Sequence, residues 1–344
     1  MKALLLRLSA IGDVVHALPM LSALHRHQWQ VGWLAEPPGR ALLAGHPYLW
    51  RLAAAPAARR FDAREARGAL RGLRSARYDV ALDVQGLWKS AAWGRLSGAR
   101  RLVGYGAAGR VEPLSSALLH ERLRLDPGAV HVIDENLALL RAVGIEAVGT
   151  REFVLPDTAL EARQVEAALA AAGIAPGTFV VLNAGGGWPE KLWPPEAYAE
   201  VARGLRERGL AALVTWGPGE QALADRVVAA SEGAARRCFP TDLRQFLELA
   251  RRARVVVAAD TGPLHIACAV GAPVVGIYGP TDPARNGPFS ADDVVVRRRG
   301  PADPRHRGRF LVAPREMAAI TAGEVLDAVG RRLARAAAQA SRAL

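Results

Sequence analysis

Short apolar runs alternate with longer segments of helical spacing along most of the chain. Residues 2–8 read as a buried strand, 14–26 as a helix with Leu18, Leu21 and Leu24 on one side, and 30–35 as a second strand. Tyr78-Asp79-Val80-Ala81-Leu82-Asp83 alternates as a strand and breaks at Gln85-Gly86, with a helix following through residue 96. Segment 131–143 has helical spacing and stops at Gly144. The second half repeats the alternation. It predicts strands at 178–183, 211–215, 254–259 and 273–277, with helices at 195–208, 219–230, 243–251 and 263–270. Strand followed by helix at these lengths predicts an α/β chain with parallel sheets covered on both faces.

At 344 residues, 51% of them hydrophobic, the chain can fill two cores. Val154-Leu155-Pro156-Asp157 closes one pattern, Ala159 to Ala172 reads as a helix, and Gly173 to Gly177 punctuates before the next strand. Domains are expected at 1–158 and 159–320. A helical segment at 321–344 either packs back on the first domain or forms a plain amphipathic cap. The opening apolar run carries Arg7 and lacks a cleavage-site pattern, so a first strand is expected rather than a signal peptide. No other stretch of about 20 apolar residues could span a bilayer. Cys238 and Cys268 stand far apart, which predicts neither a disulfide framework nor a metal cluster and fits a reducing cytoplasm.

A formal net charge of +12 favours an acidic partner: nucleic acid, an anionic membrane face or a phosphorylated small substrate. Zinc-finger spacing and an aromatic RNA-binding strand motif are both missing from the sequence, so no nucleic-acid partner is expected. Three polar turns at strand ends carry the candidate chemistry. Asp260-Thr261-Gly262-Pro263-Leu264-His265 follows an apolar strand and opens a helix, where free backbone amides meet phosphate. Gly185-Gly186-Gly187 follows another strand, with Lys191 close behind, and Asp13 and His16 follow the first. Polar turns gathered at strand ends predict a cleft, and a cleft predicts an enzyme.

The segments SAIGDVVHALP from residue 9, DVQGLWKS from 83, GGGWPEKLWPPEAYAEVA from 185 and ADTGPLHIACAVGAPVVGIYGPTDP from 259 occur together. In combination they resemble the bacterial ADP-heptose:lipopolysaccharide heptosyltransferases, most nearly the type I enzymes, over residues 1 to about 288. The resemblance implies a GT-B glycosyltransferase fold, with two Rossmann-like domains facing a central cleft. The first domain would bind the acceptor and the second the nucleotide-sugar donor. It further implies metal-independent, cofactor-free, inverting transfer of L-glycero-D-manno-heptose from ADP-heptose to a Kdo residue of the lipopolysaccharide inner core. The expected partners are ADP-heptose, a Kdo-containing lipid A precursor and the anionic cytoplasmic face of the inner membrane. Two other readings stay open: another GT-B transferase such as heptosyltransferase II, or a non-enzymatic nucleotide- or glycan-binding protein. The basic segment 297–310 has no counterpart in the resemblance.

By this resemblance Asp13 is the catalytic base, although an acid here could also merely cap a helix beginning at Val14. His16 would orient the acceptor or that acid. Lys191 would offset the charge developing on the departing diphosphate, with amides of Gly185, Gly186 and Gly187 approaching the phosphates. Asp260, Thr261, Gly262, Leu264 and His265 would form the rest of the donor wall, the Asp260 carboxylate facing sugar hydroxyls or capping its helix. Glu220 would receive the ribose hydroxyls or act as a cap, and Thr241, within 239–243, would border adenine. Arg59, Arg60, Arg64 and Lys89 are the candidates for an anionic acceptor, because the arginine fork matches a carboxylate.

Overall fold

In the computed structural model, which describes residues 1–56, 62–298 and 315–343, the chain divides into two compact units, Met1–Asp157 and Thr158–Leu344. Each holds a six-stranded parallel sheet. The first unit runs β1 (Lys2–Leu6), α1 (Ile11–Arg26), β2 (Gln30–Ala35), α2 (Pro37–Leu43), β3 (Leu49–Ala54) and α3 (Ala63–Ala76). It continues with β4 (Val80–Asp83), α4 (Trp88–Leu96), β5 (Arg101–Tyr105), β6 (Glu121–Leu123) and α5 (Val132–Ala138). The strand order is β3-β2-β1-β4-β5-β6.

Central position explains the sequence of β1. Ala3, Leu4, Leu5 and Leu6 are all fully buried because helices cover both faces, so the strand is a continuous apolar run. Its partner β4 aligns Leu6 with Asp83, and the crossovers from β1 and β4 leave toward opposite sides of the sheet. This is the switch point at which doubly wound sheets open a crevice. Helix α1 starts at Ile11, three residues earlier than its apolar spacing predicts, and takes Gly12 and Asp13 into its first turn.

The second unit contains α6 (Ala159–Ala171), β7 (Phe179–Asn183), α7 (Pro195–Glu207), β8 (Ala211–Thr215), α8 (Gln221–Ala230), β9 (Ala235–Arg237) and α9 (Leu243–Arg252). Then come β10 (Val255–Ala259), α10 (Gly262–Ala269), β11 (Val274–Tyr278), α11 (Pro283–Asn286), β12 (Val294–Arg297), α12 (Arg315–Ala318) and α13 (Ala322–Ala343). The order β12-β11-β10-β7-β8-β9 puts β10 beside β7, with Ala258 opposite Asn183. The polar turns after both strands therefore leave the same point of the sheet.

Helix α13 buries Val325, Ala328 and Val329 in the core of the second unit and packs on α7, β10, β11 and β12. Its apolar face is thus taken up by its own sheet. Just before it, the Ile320 carbonyl accepts a 3.0 Å bond from the buried indole of Trp193. Among the described residues no helix is long and apolar enough to cross a membrane.

Candidate active site

Arg7 leaves β1 at its carboxyl end, and its guanidinium is held between two elements. Nη1 donates to the Val84 carbonyl at 2.8 Å, and Nη2 meets Asp13 Oδ1 at 2.5 Å. Asp13 Oδ2 accepts a longer 3.3 Å bond from the Ala10 amide, and the Asp13 side chain stays 40% exposed. Asp13 therefore does half of a capping task, accepting from the residue before its helix, while presenting carboxylate to solvent. A charge-assisted pair with a nearly buried cation fixes its direction.

The turn after β4 is braced from below. Asp83 Oδ1 accepts from the amides of Gln85 and Gly86 at 3.2 and 3.3 Å. Its Oδ2 pairs with Arg110 at 2.6 Å, and both side chains are essentially inaccessible. Arg110 also donates to Ser115 Oγ at 2.7 Å. Gln85 Oε1 takes the Leu8 amide at 2.9 Å, tying this turn to the loop that leads into α1 and Asp13.

In the second unit, Asp260 directly follows β10 and is almost completely buried, with both carboxylate oxygens engaged. Oδ1 meets His265 Nε2 at 2.9 Å, while Oδ2 accepts from Lys191 Nζ at 2.7 Å and from Asn286 Nδ2 at 3.2 Å. Burial pushes the Asp260 carboxyl up, but the His265 bond and the Lys191 charge outweigh it and hold the group well below the ordinary carboxylate range. The acid therefore stays ionised and steers a lysine and a histidine at the first turn of α10. Thr261 is the N-cap of that helix without a side-chain cap bond, and its buried hydroxyl has no partner among the described residues. Gly262 and Leu264 bring first-turn amides, which have no acceptor within a helix, whereas Pro263 brings none.

The glycine loop after β7 serves a carboxylate as well as itself. Glu220 Oε1 accepts from the Gly186 amide at 2.8 Å and Oε2 from the Gly217 amide at 2.9 Å. Glu220 stands at the N-cap of α8 but makes no side-chain cap bond there. Near the β8–β9 edge, Leu213, Trp216, Cys238, Phe239 and Pro240 line part of a cavity of about 570 Å³. Arg237 lies over the Trp216 ring, 5.8 Å from its centroid.

Several sequence expectations change. Asp260 neither caps α10 nor offers an open carboxylate to sugar, since His265, Lys191 and Asn286 occupy it. Gly186 turns its amide to Glu220, and of the three glycines Gly187 alone has no described residue near a Cβ built on it. His16 is 2% exposed, its ring edge-on to His131 at 5.8 Å, so it lies within the unit rather than on an acceptor surface. Lys89 is already compensated by Glu36 at 2.7 Å and bonded to Ser9 Oγ at 3.2 Å. Thr241 follows the cavity lining in the chain without being part of it. Arg64 is exposed in the first turn of α3, whereas Arg59 and Arg60, like most of 297–310, lie outside the described residues.

Sequence spacing missed Arg7, Asp83, Arg110 and Asn286. Asp83 and Arg7 had one available signal: each is a charge at the end of an apolar strand. Arg110 and Asn286 lie in irregular segments whose proximity to the sites follows only from the fold. Among the described residues no group of three or more His, Cys, Asp or Glu side chains is placed to hold a metal ion.

Residues 67–309 match the profile of glycosyltransferase family 9 (heptosyltransferase). Lipopolysaccharide heptosyltransferase 1 of Pseudomonas aeruginosa is 29% identical over 324 residues, covering 88% of this chain and 86% of that protein. Lipooligosaccharide heptosyltransferase 2 of Haemophilus ducreyi is 34% identical, but over 116 residues, 32% of this chain and 33% of the other. Among solved structures, E. coli heptosyltransferase WaaC with ADP superposes with a TM-score of 0.76 at 23% identity, covering 96% of this chain and 100% of that one.

Proposed function

The chain belongs to glycosyltransferase family 9, the heptosyltransferases, and on that premise we propose that it transfers L-glycero-D-manno-heptose from ADP-heptose to a Kdo residue of the lipopolysaccharide inner core, with inversion. In this reading Asp13 Oδ2 accepts the proton of the attacking acceptor hydroxyl. The acceptor hydroxyl oxygen bonds to the anomeric carbon from the face opposite the diphosphate, and the carbon–oxygen bond to phosphate breaks. Lys191, fixed by Asp260, offsets the charge left on ADP together with the Gly262 and Leu264 amides and His265. Glu220 receives the ribose hydroxyls, and adenine lies toward Trp216 and Phe239.

The observation that carries this reading is the Lys191–Asp260–His265 cluster at the start of α10. A lysine held by a buried acid at a helix N-terminus is a fixed cation aimed where diphosphate charge develops. We propose that this cation does the work without a metal ion, so chelator is expected to leave turnover unchanged. The net charge of +12 supports association with the anionic cytoplasmic face of the inner membrane, where the lipid acceptor lies.

The test is ADP release from ADP-heptose in the presence of a Kdo-containing lipid A precursor. Release that depends on this acceptor and disappears with ADP-glucose or UDP-glucose is expected. Release only with an acceptor already carrying heptose would identify a heptosyltransferase II instead. Donor binding with no acceptor able to trigger release would identify a binding protein.

A further inference from the structure

We propose that Arg7 is a positioning residue for Asp13, selecting Oδ2 as the oxygen that takes the proton. The inference rests on the reading of Asp13 as the base and adds a residue to it. A carboxylate in the first turn of a helix, 40% exposed, would ordinarily turn freely about its own bonds. Here Oδ1 is engaged at 2.5 Å by a guanidinium that is itself only 9% exposed, while among the described residues Oδ2 has the single long bond from the Ala10 amide. The two oxygens are therefore unequal before any acceptor arrives.

What separates this pair from an ordinary surface ion pair is the second grip on the cation. Arg7 Nη1 is bonded to the Val84 carbonyl, and the backbone carbonyl of Arg7 accepts the Trp33 indole at 3.0 Å. Val84 stands in the turn that Asp83 and Arg110 brace from inside the unit. A surface pair gives up side-chain freedom to form and contributes little. Arg7 has given up that freedom in the fold itself, so orienting Asp13 costs little more. Lysine could keep the charge at position 7 but not both bonds of the fork.

The experiment uses the full-length enzyme and the variants Arg7→Gln, Arg7→Lys, Asp13→Asn and the Arg7→Gln/Asp13→Asn double. Acceptor-dependent turnover, ADP affinity and thermal unfolding are measured for each. Arg7→Gln is expected to lower kcat by about tenfold to a hundredfold, the scale of a misplaced reacting group, with ADP affinity within about twofold. Arg7→Lys is expected to restore part of kcat, and it keeps the test informative if the glutamine variant unfolds early. In the Asp13→Asn background Arg7→Gln should cost nothing further, since two residues acting through one carboxylate are not additive. Unchanged kcat in Arg7→Gln beside an inactive Asp13→Asn would overturn the role of Arg7 and leave the base intact. Full additivity in the double variant would also overturn it, whereas near-normal Asp13→Asn turnover would remove the base and this inference together.

Discussion

The Glu220 carboxylate fills the space that a side chain at Gly185 would need. A Cβ built on Gly185 would lie 1.9 Å from Glu220 Oε2, while the next amide, that of Gly186, donates to Oε1 at 2.8 Å. The loop is glycine-rich at this point because an acid from another turn is seated in it.

Gly185→Ala should therefore displace Glu220 and weaken ADP binding by about 1.5–3 kcal/mol, the worth of hydrogen bonds to a charged group. Gly187→Ala, with no described residue within 4 Å of its Cβ, is the matched control and should bind normally. Calorimetric titration of ADP into both variants decides, and equal affinities would show that the seat does not govern the nucleotide.

Asp13→Asn keeps the shape of the first turn of α1 and loses the proposed proton acceptor. Turnover is expected to fall by about two orders of magnitude or more, with ADP affinity and unfolding temperature retained. Near-normal turnover in the purified variant would remove Asp13 from the chemistry.

Lys191→Ala tests the ionised state of Asp260. A carboxyl held below its ordinary value of 3.8 contributes stability that is fully present above that pH and is lost as pH falls through the lowered value. Removing Lys191 takes away one of the interactions that lower it. The gap in urea midpoint between wild type and variant should thus be widest near neutrality and narrow below about pH 4. A gap of constant width across that range would contradict the coupling.

Arg110→Ala would leave Asp83 charged, buried and unpaired. Breaking a buried pair in this way costs about 3–5 kcal/mol, so urea unfolding of the first unit should shift by that amount. A shift under about 1 kcal/mol, typical of exposed pairs, would mean that the turn after β4 does not depend on this brace.

Arg64 stands in the first turn of α3, where Asp62 already caps the amides of residues 64 and 65 and a cation opposes the helix dipole. It does not serve the helix there. Arg64→Ala should leave stability unchanged or raised by a few tenths of a kcal/mol, and raise the acceptor KM by about fivefold without changing ADP affinity. An equal defect in ADP binding would move Arg64 to the donor side.

Strands with continuous apolar runs were readable from the sequence because burial on both faces leaves no polar position to blur them. Predicted residues 211–215 and 30–35 coincide with β8 and β2. Short edge strands were not readable: β6 and β9 have three residues each, and Arg236 and Arg237 give β9 no apolar face. In the site, the strand-end acids stood out as residue types, but their partners did not. That Lys191 meets Asp260 across 69 positions follows from the alignment of β7 with β10, which no local pattern encodes. Likewise Glu220 read equally as a ribose partner or a helix cap, and no local pattern placed the Gly186 amide against it.

The Trp193 indole bond to the Ile320 carbonyl ties the tail of the chain to the loop that carries Lys191. Trp193 is two residues from Lys191 and buried against the segment that leads into α13. Trimming the C-terminus before Ile320 would uncouple the anchor of the loop that carries the cation, so a lesion more than a hundred positions downstream would be felt as a loss of nucleotide handling.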